Sequence, residues 1–560
     1  MAAGGGTLGA RARASLRSLL VSAGVFGEVF RVPDLRRTQL AFIGFNMTEW
    51  AASVAILVYA FQRNGAGAAG LIAAIQLIPA ALVAPFAAVL GDRIRRELML
   101  RFAYAVQALT TGLTATALLL DAPLAVVYAL ASLTAIGLTL VRPVHDALVP
   151  ALARSPAQLT AGYVAGSVIE TASAMLGPLL AGLVMAVSEP GMVYAVLSVW
   201  LGVSTVLALR IRTRTEPASS GEEAHVIAEA LAGFEALRAD RRPRLIVALL
   251  GTATLTAGFL DVLIVVLGFD LFASGEAGTG LLGAALGAGA LVGSLATVVL
   301  IARRRLHGAM LNGMLLCGGP IALLAAAPSA GLAAATLAVS GAGWSAADVT
   351  GRTMLQRLVP DEALSRVLGV LEGTYMATQG IGAVVAGVLV STLGTDWTLL
   401  VSGLLLPVLA LLVRGRLAAA DVGPSVPEDH LRLLHFLPLF APLDAPDLER
   451  VAQHVVAVEA SSGEVVIAEG TVGDRFYAIR SGEVAVTREG RELATLGAGG
   501  YFGEIALLRD VPRTATVTAL TGLELLALER APFLEAVTGH PESSLAVNRV
   551  ADERLDTHEA

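Results

Sequence analysis

Two short segments near the C-terminus carry residues that can bind an anion together. Residues 500–508 read GYFGEIALL, and residues 512–517 read PRTATV. Gly503 lets the backbone approach a ligand closely, and a short helix predicted to begin at Glu504 directs free N–H groups toward a negative charge. Arg513 adds a permanently charged guanidinium that can hold an oxyanion through two hydrogen bonds. The spacing therefore predicts an anion site in the C-terminal part of the chain.

A second set of candidate residues consists of carboxylates inside long apolar segments. Charges in hydrocarbon are costly, so such residues normally face the interior of a helix bundle or a water-filled cavity. A carboxylate that is dry in one conformation and hydrated in another binds a proton differently in the two states, which couples proton binding to conformational change. Glu49 is the first candidate because it lies near the middle of its segment, and Asp261 is the second. The complete set is Glu49, Glu170, Asp261, Asp348 and Glu372.

Asp348 and Glu372 have a second interpretation, as structural partners of Arg352 near the inner membrane face. The apolar segments hold more carboxylates than arginines. This excess is compatible with proton coupling and also with a cationic or amphipathic small-molecule substrate. The sequence does not separate these explanations.

The composition indicates a membrane protein joined to a soluble part. Of the 560 residues, 55% are hydrophobic and 15% are charged, whereas soluble domains average about 25% charged residues. The apolar residues are mostly small and aliphatic, with 59 glycines, which suits closely packed membrane helices. From residue 424 onward, 22 acidic residues face 11 arginines, although the whole chain has a net charge of only −7. The negative charge therefore belongs to the tail.

Twelve segments are long and apolar enough to cross a hydrocarbon core about 30 Å thick. Glycine, proline and clusters of charge separate them. The predicted spans are 38–62, 67–91, 97–120, 122–142, 160–187, 190–211, 243–272, 277–302, 308–327, 329–354, 364–392 and 396–414. An amphipathic helix at 12–30 is predicted to lie on the inner membrane surface.

The connections between the spans alternate in charge. One set carries most of the arginines, and the other is short and nearly free of them, with Arg63 as the exception. Because positively charged connections stay in the cytoplasm, both termini are predicted to be cytoplasmic. The chain is thus expected to be a multi-pass protein of the inner (plasma) membrane, in contact with the lipid bilayer.

The two halves of the membrane body echo each other. Residues 142–150 (RPVHDALVP) and 352–360 (RTMLQRLVP) both place an arginine eight residues before a proline. Parallel repeats of six-helix halves occur in major facilitator transporters. Residues 90–96, LGDRIRR, resemble the signature of that family, although Ala88 stands where the signature has glycine. The resemblance implies a membrane α-helical fold of twelve transmembrane helices in two six-helix halves.

The same resemblance implies a cytoplasmic gate. In the family, the Asp and Arg of the signature hold the cytoplasmic ends of the two halves together in the outward-open state. Carried over by position, and with the two repeat arginines added, the predicted gate is Asp92, Arg93, Arg96, Arg142 and Arg352. The alternative interpretation of the signature is an ordinary basic anchor at the membrane edge.

Three shorter motifs resemble exporters of drugs and siderophores. They are GPLLAG at 177–182, TEW at 48–50 and PDEALSR at 360–366. The first resembles a motif of the exporting branches, although simple helix packing explains it equally well. These motifs specify a family and not a substrate.

The tail has the pattern of a small antiparallel barrel. Short helices are predicted at 428–454, alternating strands with glycine turns at 463–528, and a closing helical stretch at 530–555. Within this pattern, the anion segments 500–508 and 512–517 resemble the phosphate-binding cassette of cyclic nucleotide-binding domains. The resemblance implies a cytoplasmic α+β domain with a β jelly roll.

The cassette resemblance assigns a set of ligand-binding residues. By the family pattern, Glu504 accepts a hydrogen bond from the ribose 2′-hydroxyl, and Thr514 can reach the phosphate or a guanine edge. The predicted cyclic nucleotide-binding residues are Phe502, Gly503, Glu504, Ile505, Ala506, Arg513, Thr514 and Ala515. Thr514 permits both nucleotides, so the regulatory ligand is cAMP or cGMP, with cAMP favoured as the commoner bacterial ligand. The alternative is a degenerate domain that binds nothing, and the family also implies that two copies can pair through the tail.

The predicted organisation has six parts. They are a cytoplasmic N-terminal segment at 1–37, an N-terminal six-helix half at 38–211, a cytoplasmic linker with a surface helix at 212–242, a C-terminal six-helix half at 243–414, a linker at 415–428 and the cyclic nucleotide-binding domain at 429–560.

The leading hypothesis is a secondary active transporter, a proton-coupled exporter of a small amphipathic molecule, regulated by the nucleotide. The alternatives are a non-transporting membrane receptor that signals the nucleotide level to a partner, and an exporter of cyclic nucleotides. No catalytic or metal-binding motif predicts an enzyme or a cofactor, and the acidic tail is electrostatically unsuited to nucleic acid.

Overall fold

The computed structural model describes residues 29, 31–93, 95–153, 155–212, 226–301, 306–326, 329–420, 428–441, 443 and 445–538. The chain separates into two compact units, Met1–Asp421 and Val422–Ala560. Apart from residue 29, the predicted amphipathic helix at 12–30 lies outside the described residues, as does the closing stretch after Thr538.

The first unit is entirely α-helical in its described part. Its helices are α1 Pro33–Arg93, α2 Arg96–Leu119, α3 Leu124–Leu152, α4 Pro156–Met185, α5 Pro190–Leu209, α6 Val226–Ala239, α7 Arg241–Leu271, α8 Gly275–Ile301, α9 Leu306–Leu323, α10 Ala330–Leu358, α11 Asp361–Leu393 and α12 Thr395–Ala420. Within the described ranges, eleven helices are long and apolar enough to cross a membrane. The shorter α6 lies in the predicted linker.

Helix α1 contains the first two of the twelve predicted spans. Its backbone leaves helical geometry at Asn64 and Gly65, and Gly65 has a φ of 72°, a conformation that suits a residue without a Cβ. The break predicted between these two spans is therefore observed at Asn64 and Gly65, between two helical parts of α1.

The chain folds back on itself at this kink. Arg142 of α3 pairs with Glu49, before the kink, and Ser132 of α3 donates to the carbonyl of Ile75, after it. The two contacts are ten residues apart on α3 but twenty-six apart on α1, about 15 Å against about 39 Å at 1.5 Å per helical residue. A straight α1 cannot make both contacts, so its two parts run antiparallel.

Polar side chains fix the starts of three helices. Ser155 accepts a hydrogen bond from the N–H of Gln158 at the start of α4, and Ser329 accepts one from Leu332 at the start of α10. Asp240 does the same for Arg242 at the start of α7. Such side chains satisfy N–H groups that have no partner within the helix.

Glycines allow the two halves of this unit to pack closely where α4 meets α8 and α1 meets α11. A Cβ on Gly280 would lie 2.5 Å from the Cα of Gly182, and one on Gly387 would lie 2.7 Å from a carbonyl oxygen of α1. Only small residues permit this approach of helix backbones. At the same end, Gln62 donates to the Glu276 carboxylate at 2.6 Å.

This packing predicts that Gly280→Ala lowers thermal stability. The new methyl group has no space against Gly182, and overpacking typically costs about 1–3 kcal/mol. Gly331→Ala is the matched control, because no atom lies within 4 Å of a Cβ at that helical position. The midpoint of thermal unfolding in detergent should fall for the first variant and stay or rise for the second. Equal midpoints would contradict a tight helix contact.

The second unit combines short helices with two antiparallel sheets in its described part. Its elements are α13 Glu428–Phe436, α14 Ala445–Gln453, β1 Val456–Ala460, β2 Val465–Ile467, β3 Arg475–Ser481, β4 Val484–Arg488, β5 Arg491–Leu496, β6 Tyr501–Phe502, α15 Glu504–Arg509, β7 Thr516–Ala519, β8 Leu523–Glu529 and α16 Arg530–Thr538. The sheet orders are β1-β8-β3-β6 and β2-β7-β4-β5. Phe476 of β3 stacks on Phe533 of α16 at 4.9 Å, which ties one sheet to the last described helix.

Within 463–528 the sequence pattern predicts strands at 465–467, 476–479, 484–486, 516–517 and 523–528, which correspond to β2, β3, β4, β7 and β8, whereas it does not predict β1, β5 or β6. Most of β5 is solvent-exposed and β6 has two residues, so neither shows the alternation of apolar and polar residues that marks a half-buried strand.

Candidate functional site

A tight turn and a short helix build the predicted anion site in the second unit. Strand β6 ends at Phe502, Gly503 follows with a φ of 90°, and α15 begins at Glu504 as predicted. A Cβ on Gly503 would lie 2.7 Å from Nη1 of Arg513. The position therefore requires glycine for its backbone angle and for its close contact with the arginine.

Arg513 is held beside this turn by backbone carbonyl groups. Its Nη1 donates to the carbonyl of Gly503 at 2.9 Å, and its Nη2 donates to that of Arg475 at 2.7 Å. Asp474 lies 3.4 Å from Nη2. The residue is only 5% exposed, and burial lowers the pKa of its guanidinium. Arginine nevertheless stays charged in proteins, so a fixed, largely buried cation is available to an anionic ligand.

Arg513 lines a cavity of about 500 Å³, a volume typical of small-molecule sites. Ile505 and Thr514 of the predicted set also line it. Arg488 and Arg509 add positive charge to its wall, and Glu469 adds one negative charge. The cavity is therefore lined by more positive than negative side chains.

The other predicted residues of this site surround the turn. Phe502, Glu504 and Ala506 are buried, and Ala515 is half-buried. The ring of Phe502 stacks on Tyr477 at 5.3 Å, which fixes the strand that leads into the turn.

Sequence reasoning missed two of the three positively charged lining residues, Arg488 and Arg509. Arg509 ends the short helix α15 and could have been found from the helix length. Arg488 ends β4 in the next strand pair, and no local pattern indicates that it meets the cavity.

In the first unit, Arg142 joins three helices through two carboxylates. Its Nη2 lies 2.9 Å from Glu49 of α1, and its Nη1 donates to Glu170 of α4. The guanidinium also lies over the ring of Phe45, 5.8 Å from its centre. The sequence assigned Arg142 to the gate and the two carboxylates to proton coupling, but the structure places them in one cluster.

A second cluster forms around Arg352 of α10. Its Nε donates to Asp348 at 3.0 Å, and its Nη2 donates to Glu372 of α11 at 2.8 Å. The hydroxyl of Tyr375 donates to the same Asp348 carboxylate at 2.5 Å. The structure thus shows the pairing of Asp348 and Glu372 with Arg352 that was one of the two predicted interpretations.

The two clusters occupy corresponding places in the two halves. Each has one arginine between two carboxylates, so full ionisation leaves one excess negative charge in each. The Arg142 side chain is 36% exposed although its partners lie on two other helices. Glu372 also lies close enough to Glu49 and Arg142 to act on them electrostatically. The two clusters together therefore carry net negative charge when all of their groups are ionised.

Asp261 differs from the other membrane carboxylates in its partner. Its Oδ2 accepts a hydrogen bond from the neutral amide of Gln379 of α11 at 2.9 Å. Within the described residues, each of the other four predicted carboxylates pairs with an arginine. No positive charge thus holds Asp261 ionised in this part of the chain.

Two family models match the chain. The model of the Major Facilitator Superfamily covers residues 40–307 and 274–443, which together span most of the chain. The chain belongs to the major facilitator superfamily. The model of the cyclic nucleotide-binding domain covers residues 457–540, so the transporter carries this domain at its C-terminal end.

Known proteins resemble the two parts separately. The crystal structure of a mutant of the nucleoside transporter NupG aligns over 69% of this chain and 99% of its own, with a TM-score of 0.58 and 12% identity, which shows a shared fold alone. The cAMP-dependent protein kinase regulatory subunit of Yarrowia lipolytica is 41% identical over 17% of this chain and 26% of its own length. The cGMP-dependent protein kinase of Toxoplasma gondii is 34% identical over 22% of this chain and 13% of its own length. The chain therefore spans about a quarter or less of these two kinase proteins.

The major facilitator signature itself is only partly described. The side chains of Asp92 and Arg93 lie outside the described residues. Arg96, in the first turn of α2, donates to the carbonyl of Ala147 in α3 at 3.0 Å. This contact lies within the N-terminal half of the transporter, so the predicted gate across the two halves stays a prediction.

Proposed function

We propose that the protein is a proton-coupled exporter of a small cationic, amphipathic molecule and that a cyclic nucleotide, cAMP in preference to cGMP, regulates it. The observation that carries the regulatory part is the buried Arg513, fixed at the rim of a 500 Å³ cavity beside the Gly503 turn. The observation that supports a cationic substrate is the excess of carboxylates over arginines in the two clusters.

Proton coupling is assigned to Asp261. A carboxylate that lies in a membrane helix bundle and has no cationic partner favours its neutral, protonated form while water is excluded. It releases the proton when water reaches it. Glu49, the first choice from sequence, instead has a cationic partner, Arg142, which it shares with Glu170. This difference in partners favours Asp261 over Glu49 as the coupling residue.

The regulatory coupling has a simple thermodynamic requirement. The nucleotide must bind one conformation of the transporter more tightly than another, because only differential affinity shifts an equilibrium. Seven residues, 421–427, separate the last membrane helix α12 from α13 of the nucleotide-binding domain. The short connection supports transmission of a conformational change from the domain to α12.

The deciding experiment is transport in proteoliposomes with a pH gradient and a fluorescent lipophilic cation such as ethidium. We expect cation movement driven by the gradient and altered by cAMP on the side of the nucleotide-binding domain. Nucleotide binding without any transport would favour the receptor. Movement of labelled cAMP itself would favour the nucleotide exporter. Transport that ignores a bound nucleotide would contradict the regulation.

A further inference from the structure

Three buried polar atoms lie close to the Arg142 cluster without a hydrogen-bond partner in the described part of the chain. They are Oε1 of Gln39, Oδ1 of Asn46 and Nε2 of His145. The residues are 4%, 0% and 2% exposed. Buried polar atoms are nearly always hydrogen-bonded, if not to protein then to an internal water molecule.

The other polar atom of each side chain is already engaged, which fixes the orientation of all three. The amide nitrogen of Gln39 donates to the carbonyl of Gly162 at 3.0 Å, and that of Asn46 donates to Phe42 at 2.9 Å. Nδ1 of His145 lies 3.2 Å from the Asp146 carboxylate. Rotating one of these side chains to give its unpartnered atom a partner would therefore break the contact that its other polar atom already makes.

Gly166 of α4 provides a space between two of these residues. A Cβ at this position would lie 3.6 Å from Cε1 of His145 and 3.9 Å from Oε1 of Gln39. Both side chains therefore lie next to the position of a side chain at residue 166, which glycine leaves empty. The His145 ring is held there by stacking on Phe42, with centroids 3.8 Å apart.

On α3 and α4, this space lies one helical turn from the Arg142 cluster. His145 follows Arg142 on α3, Asn46 precedes Glu49 on α1, and Gly166 precedes Glu170 on α4. Because α3 runs opposite to the other two, the three shifts point in the same direction, toward the N-terminal end of α1. The orphaned atoms and the cluster therefore form two successive polar layers.

We propose that the space beside Gly166 binds internal water. This water links His145 to the carboxylates Glu49 and Glu170 and exchanges protons with them. The proton of a protonated carboxylate passes to the water, and a proton of that water passes to Nε2 of His145. The resulting imidazolium keeps its Nδ1–H on the Asp146 carboxylate, and the reverse steps return the proton. No other reactant is required.

Each of the three helices around this relay contributes charged groups. Arg142 and Asp146 belong to α3, the helix of His145, while Glu49 belongs to α1 and Glu170 to α4. Asp146 is 60% exposed, so the histidine is linked on its other side to a residue in contact with water. His145 is in this proposal a positioning and proton-holding residue and does not contact the transported molecule.

The water site is tested by radiolytic hydroxyl-radical footprinting of the full-length protein, read by mass spectrometry. Ordered water next to a buried side chain makes that side chain reactive. We expect modification of His145 and Phe42 in the wild type and its loss in Gly166→Ala, whose methyl group fits at ordinary contact distances. Gly202→Ala, with no atom within 4 Å of its Cβ, is the control. Absence of modification in the wild type, or equal modification in both variants, overturns the water site.

The relay rests on the proposed proton coupling and needs a second measurement. In proteoliposomes, Gly166→Ala and His145→Gln should slow ethidium movement driven by a pH gradient several-fold, while exchange of ethidium at equal pH stays unchanged. An equal loss of both activities would mean a structural effect and overturns the relay. If the wild type shows no proton-driven transport, the proposed function fails, and the footprinting result still decides the water site.

Discussion

Arg513→Gln is expected to weaken cyclic nucleotide binding severely. The guanidinium is fixed by the carbonyls of Gly503 and Arg475 at the cavity, so it can meet a cyclic phosphate without first being ordered. Hydrogen bonds to charged groups contribute about 1.5–3 kcal/mol each, and loss of two weakens binding roughly 100-fold or more at 1.4 kcal/mol per factor of ten. Titration calorimetry of the full-length protein with cAMP and cGMP measures the effect and also ranks the two nucleotides.

Two further variants separate charge from geometry at this position. Arg513→Lys keeps the positive charge but cannot form two parallel hydrogen bonds, so its affinity should fall between those of the wild type and Arg513→Gln. Arg488→Gln is the matched control, because this arginine lines the same cavity but is solvent-exposed. A larger loss of affinity from Arg488→Gln than from Arg513→Gln would contradict the site. Thermal unfolding should confirm that all variants remain folded.

The nucleotide site was readable from the sequence because its geometry is local. A glycine at positive φ, a helix that begins at the next residue and an arginine ten positions later all lie within one short stretch. Each of these features constrains the residue type directly. The wall of the cavity was less predictable, because Arg488 lies on the β4–β5 strand pair, and the position of that pair depends on the whole sheet.

The membrane part shows the complementary limit. Hydrophobic length predicted the spans and the break at Asn64 and Gly65, but it did not reveal how the two parts of α1 contact α3. The ion pairs were harder still, because Arg142 and Glu49 are 93 residues apart. The internal repeat showed that Arg142 and Arg352 are equivalent without showing their partners. Only the helix packing identifies Asp261 as the carboxylate paired with a neutral amide.

Asp261→Asn is expected to remove proton-driven transport and to leave exchange of the transported cation at equal pH. Asparagine still presents an Oδ1 acceptor to the Gln379 amide, so the contact between α7 and α11 can persist. The variant cannot bind or release a proton at position 261, so the proton step that we assign to Asp261 is lost. Ethidium movement in proteoliposomes, measured with and without the gradient, separates the two activities.

The comparison with neighbouring carboxylates makes this prediction specific. Asp270→Asn is the matched control, since Asp270 lies on the same helix but is exposed, and its loss should leave proton-driven transport intact. Glu49→Gln should reduce transport and exchange together, because it breaks the ion pair that holds Arg142 to α1 and removes the excess negative charge that the cluster offers to a cation. If Glu49→Gln alone uncouples transport from the gradient while Asp261→Asn behaves as wild type, the coupling residue is Glu49, and the neutral partner of Asp261 has only a structural role.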